Sequence, residues 1–178
     1  MKKLLVIALL IVLYKQSAFS QDYPSPFKFE TIDSMQGTKT ELFVKANEWV
    51  AKTFNSAKDV IQMSDKDAGK IIAKGMMESG GRVGFVKGTF YIKYTLSIDL
   101  KDNKCRIRIS DFITVGCMSN AALIDNHYFD LNYSLDNQDP PDNYSMKTWN
   151  DIKYTCTYRS GELVKELIIA LKSKSENW

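Results

Sequence analysis

The sequence is poor in the residues that most often carry chemistry. It has one histidine and three cysteines in 178 residues. Any Ser-His-Asp or Cys-His arrangement must therefore run through His127, and neither a G-x-S-x-G elbow nor a cysteine elbow accompanies it. Cys105, Cys117 and Cys156 match no C-x-x-C ligand pattern, and His127 stands apart from them, so no metal site is read here. The glycines from Gly75 to Gly88 fit neither G-x-G-x-x-G nor G-x-x-x-x-G-K-[ST], which argues against a nucleotide loop. No catalytic residue and no cofactor is assigned.

Long apolar runs are also missing. Residues 4–13 form one uninterrupted run, but a helix crossing a bilayer needs roughly 20 apolar residues. With Lys2 and Lys3 before it and Ala18-Phe19-Ser20 after it, this run reads as a secretory signal peptide over residues 1–20, cut before Gln21. The first cysteine is Cys105, so the lipid-anchored route, which needs a cysteine at the new N-terminus, is closed. The expectation is an exported protein, periplasmic or extracellular, with no transmembrane segment in the mature chain.

A charge of one sign is absent once the signal is removed. Lys2, Lys3 and Lys15 leave with it and no acid does, so 24 Lys+Arg become 21, against 21 Asp+Glu. A neutral domain lacks the basic excess that phosphate backbones demand, and nucleic acid is not expected as a partner. The remaining length suits one ordinary domain. Three cysteines in an oxidising compartment leave at least one thiol unpaired, and their pairing stays open.

What is present is a clear alternation of strands and helices. After a leader at 21–26, residues 27–33 alternate as a short strand. Leu42, Ala46, Trp49, Val50 and Phe54 recur at helical spacing behind Thr40, read as the N-cap. Residues 60–64 and 70–77 read as a hairpin turning at Gly69, and Gly80, Gly81 and Gly84 as a flexible connection. In residues 89–100, Phe90, Ile92, Tyr94, Leu96, Ile98 and Leu100 alternate strictly with polar neighbours and Tyr91, the pattern of a half-buried antiparallel strand. Asp102-Asn103 marks a two-residue turn that pairs Lys101 with Lys104, Asp99 with Arg106 and Ser97 with Arg108. The alternation slips at Ser110-Asp111-Phe112, the signature of a bulge.

Residues 116–145 hold five aspartates, no Lys or Arg, and Pro140-Pro141. They read as a long acidic loop or insertion. Trp149 and Ile152 start a helical turn, and Leu163, Val164, Leu167, Ile168 and Leu171 define an amphipathic helix to about residue 174. The expected fold is α+β: an antiparallel sheet of about five strands in the order β-α-β-β-β-β-α, with two helices packed on one face. It forms a single domain over residues 27–174 with a tail at 175–178.

The stretch from Trp49 to Phe54, the D-K-x-x-G-K-I turn at Asp65–Ile71 and the K-D-x-K-x-R hairpin at Lys101–Arg106 resemble bacterial domain-of-unknown-function family 4468 over roughly residues 30–115. The resemblance implies a TBP-like fold in an exported bacterial protein. It implies no activity, and fold likeness to the TATA-binding protein does not transfer DNA binding.

One binding surface follows from the alternation itself. Tyr91, Lys93, Arg106 and Arg108 fall on the sheet face away from the helices, where aromatic and cationic groups could hold an anionic or sugar-like ligand; the alternative is a solvated face whose charges pair across strands. The reading of function is a noncatalytic binding or interaction module of the bacterial cell envelope, its partner an unknown envelope protein or small ligand. The alternatives are an envelope enzyme using Asp125 and Asp130 of the acidic stretch as an acid/base pair, and a structural envelope protein. Calcium on that stretch is a further option, since its acids and asparagines are hard oxygen ligands.

Overall fold

Strand alternation is strongest where the sheet has its centre. The structure is a computed structural model and describes residues 26–54, 57–83, 86–119, 128–142 and 144–173. Its elements are β1 (Phe29–Ser34), α1 (Lys39–Thr53), α2 (Ala57–Val60), β2 (Ile61–Asp65), β3 (Lys70–Val83), β4 (Val86–Lys101), β5 (Lys104–Ser119), β6 (Tyr128–Ser134) and α3 (Met146–Lys172). All strand pairs are antiparallel, in the order β1-β5-β4-β3-β2, and β6 also pairs with β5.

The β4–β5 hairpin turns at Asp102-Asn103 in the register read from the sequence. Lys101 faces Lys104, Asp99 faces Arg106, and Ser97 faces Arg108. Asn103 adopts φ 60°, the left-handed conformation such a turn requires, and asparagine tolerates it better than most side chains. The expected bulge is present. Lys93 pairs with Ile113 and Thr95 with Ser110, so Tyr94 stands opposite two residues, and Asp111 takes φ 54°. The extra residue keeps Ile109 and Phe112 both on the buried face.

Residues 116–145, expected as a long acidic loop or insertion, instead carry the end of β5 and the whole of β6, making six strands where about five were expected. Its aspartates and asparagines hid the strand, since these residues depress strand propensity and usually mark turns. Gly80 and Gly81, expected in a flexible connection, lie within β3 opposite Thr89 and Gly88. Gly81 is required there because a Cβ would run into the Phe90 ring and the Thr148 methyl. The helix expected from residue 163 is the second half of α3, which starts at Met146 behind Ser145, whose hydroxyl accepts from Thr148 N.

The first long helix is capped two residues before the Thr40 read as its cap. Thr38 is the N-cap: its Oγ1 accepts from Glu41 N at 3.3 Å, and Glu41 Oε2 accepts from Thr38 N at 2.8 Å. Both threonines precede the apolar stripe, but only Thr38 has its acid at the third helical position, as a capping box needs. Both long helices cover one face of the sheet. Leu42, Ala46, Val50, Trp149, Ile152 and Leu167 are buried with Ile71, Ile92, Leu96, Ile98, Ile107 and Ile109. Cys105 and Cys156 are buried and free, and burial pushes the Cys156 thiol up to about 12, so both behave as small hydrophobes.

One buried group was invisible in the sequence. Lys153 is only 1% exposed; its Nζ donates to Asn137 O at 2.8 Å beside the Phe27 and Trp149 rings. Trp149 Nε1 donates to the same carbonyl, and Phe27 N donates to Asp136 Oδ1 at 2.7 Å. These bonds tie the start of the domain to the connection between β6 and α3.

Candidate functional site: the outer face of the sheet

With the helices on one face, the side chains of alternate residues on β1, β3, β4 and β5 form the other. Tyr91, Lys93, Arg106 and Arg108 all lie on it, as their places in the alternation require. They do not converge on one point. Four residues separate Lys93 from Ser97, the partner of Arg108, a distance of about 13 Å along the strand. The Asp111 bulge lies between the two halves.

The half that holds the arginines pairs each of them with an acid of a neighbouring strand. Arg106 donates from Nε and Nη2 to Asp99 Oδ2 at 3.0 and 2.8 Å, and Lys70 Nζ stands 3.1 Å from Asp99 Oδ1. Partial burial pushes the Asp99 carboxyl upward, but the hydrogen bonds and charges of Arg106 and Lys70 outweigh it and hold it below its ordinary value. Arg108 Nε donates to Glu30 Oε2 at 2.7 Å, and this hydrogen bond holds Glu30 below its ordinary value too. For these two residues the geometry favours charges paired across strands.

The other half differs. Lys93 is exposed and stands between Met76 of β3 and Ile113 of β5, with Tyr91 two residues along the same strand. Met76 is 58% exposed. Lys93 makes no ion pair among the described residues. A cation set among a thioether, an isoleucine and a phenol can contact a ligand that is apolar in part and anionic in part. Met76 and Ile113 were not named from the sequence. Ile113 follows the slip in alternation, and Met76 shows its role only once β3 is registered against β4.

Asp125 and His127 lie outside the described residues, and so does the side chain of Asp130. Among the described residues no group of three His, Cys, Asp or Glu side chains is placed to hold a metal ion. No described helix is long and apolar enough to cross a membrane.

Residues 29–114 match the family described as "Domain of unknown function (DUF4468) with TBP-like fold", which bears out the resemblance read from the motifs. Two solved structures share the fold. A TBP-like protein from Parabacteroides distasonis is 16% identical with a TM-score of 0.52, covering 79% of this chain and 92% of its own. A DUF4468 family protein from Bacteroides ovatus is 10% identical with a TM-score of 0.58, covering 85% of this chain and 89% of its own. At these identities the likeness concerns the fold alone. No curated protein matches the chain.

Proposed function

We propose that the protein is a noncatalytic, exported binding or interaction module of the bacterial cell envelope, and that it binds through the outer sheet face at Tyr91 and Lys93. The observation that carries this reading is Lys93, without an ion pair among the described residues and set between the exposed Met76 and the half-buried Ile113, on a face where Arg106 and Arg108 are each held by an acid. Export rests on the signal read at residues 1–20, and periplasmic and extracellular sites are equally compatible with it. The partner is an envelope protein or a small ligand with an anionic group. Nucleic acid is disfavoured by the charge balance that follows loss of residues 1–20.

The test is recovery of the protein from fractionated cells, followed by pull-down from envelope extract with wild type and the Tyr91→Ser/Lys93→Ser double variant. The expected results are a chain beginning at Gln21 in the envelope or medium, and a bound species lost in the double variant only. Retention in the cytoplasm with residues 1–20 attached refutes the export reading. An identical bound profile for both proteins refutes the surface.

A further inference from the structure

We infer that the protein associates with a second copy of itself through the free edge of β3, strand against strand, with Gly80 on the two-fold axis and Glu78 of each copy paired with Arg82 of the other. β2 covers one edge of β3 only as far as Ala73, where Ile61 is its last partner. From Lys74 to Val83 no strand lies on that side among the described residues, while β4 occupies the other side throughout. A long uncovered edge is a template for pairing with another chain.

The register follows from symmetry and charge. A two-fold axis perpendicular to the sheet keeps outer side chains on the outer face, so a residue on the axis meets itself and residues equidistant from it meet each other. With Gly80 on the axis, Glu78 stands opposite the partner's Arg82, and Arg82 opposite the partner's Glu78. Glu78 on the axis would instead set Glu78 against its own copy and Lys74 against Arg82, a repulsive arrangement. Met76 on the axis would match Lys74 with Glu78 but drive the partner strand into the place of β2. Axes through Met77, Ser79 or Gly81 pair none of these charges. The Gly80 register alone is both open and complementary.

Two further observations agree with it. Lys70, Arg106 and Arg108 have acids beside them, whereas the side chains of Glu78 and Arg82 are exposed and make no ion pair among the described residues. Gly80 is not explained by the protomer: a Cβ there would meet nothing within 4 Å, in contrast to Gly75 and Gly81. Glycine weakens a strand interior, and close approach of another backbone is one reason for a strand to keep one. At its far end the edge is not wholly free of the protomer, since Thr148 Oγ1 of α3 donates to Arg82 O at 3.1 Å. Pairing would join the two outer faces into one surface.

The experiment is sedimentation equilibrium of the purified protein at about 100 µM, a concentration at which a dimer with a dissociation constant near 10 µM is mostly formed. Wild type is expected as a dimer. Glu78→Lys and Arg82→Glu each set like charges opposite one another and are expected as monomers with wild-type circular dichroism. The double reversal restores opposite charges and the dimer. A Gly80→Cys variant is expected to form an inter-chain disulfide on mild oxidation that wild type does not form. A monomeric wild type, a dimer that survives both single reversals, a double reversal that stays monomeric, or no Gly80→Cys cross-link overturns the inference.

Discussion

Asp99 shows how the outer face keeps its charge in order. One carboxylate accepts from Arg106 and lies against Lys70, so protonating it forfeits contacts that the unfolded chain lacks. Its folded value lies below the ordinary 3.8, so its contribution to stability is complete above that value and is lost as pH falls through the lower folded one. Glu30, Asp33 and Glu41 are lowered as well, by hydrogen bonds from Arg108, Lys172 and Thr38. The expected outcome is a stability that is flat above about pH 5 and declines below about pH 4, with a shallower decline in Asp99→Asn. Urea unfolding at a series of pH values checks this; equal slopes for the two proteins would remove Asp99 from the account.

At the scale of elements, close approach between β3 and its neighbours depends on small residues. A Cβ on Gly75 would collide with the ring and hydroxyl of Tyr94, which is buried on β4, where desolvation pushes its phenol up to about 12. Gly75→Ala must displace that ring and is expected to cost about 1–3 kcal/mol. Chemical denaturation checks this, and a change within about 0.5 kcal/mol would mean that the ring moves freely. The helices are secured at their ends. Thr38 and Glu41 cap α1, and Lys45 of α1 donates to Leu171 O and Ser173 O at the end of α3, where unpaired carbonyls attract a cation. Lys172 Nζ reaches Asp33 Oδ2 at 2.6 Å, tying α3 to β1.

For the whole molecule the deciding feature is a sheet with one covered and one open face. Ile98 is fully buried between sheet and helices, while Tyr91, Lys93 and Arg108 point away from them. Ile98→Ser is expected to cost about 3 kcal/mol or more, through the lost side chain and a buried hydroxyl. The triple change Tyr91→Ser, Lys93→Ser, Arg108→Ser is expected to cost far less, because it removes solvent-facing side chains and an exposed ion pair that water already screens. Similar losses in the two variants, measured by thermal or chemical unfolding, would mean that the faces are reversed.

Period-2 alternation from Thr89 to Leu100, the Asp102-Asn103 turn and the slip at Ser110-Asp111-Phe112 were enough, by themselves, to determine the β4–β5 register as far as Lys93 and which of those residues face out. The second shift, with Tyr91 against Gly116 and Ile92 against Thr114, was not legible there. Strand period and turn chemistry are local, and a single slip would turn a row of isoleucines to solvent. Apolar stripes likewise placed α1 and the second half of α3. What the tertiary structure decided was everything that depends on a distant partner. β6 pairs only because the far half of β5 offers an edge beyond β1, which no local propensity in its Asp- and Asn-bearing stretch announces. Lys153 is buried because Asn137 O and two aromatic rings meet it there. Arg106 is paired with Asp99, which Lys70 of a third strand also contacts, and Arg108 with Glu30, leaving Lys93 as the outward cation without an ion pair among the original four residues. Side-chain period is written in neighbouring residues, whereas burial and charge pairing belong to residues that meet only when the sheet closes.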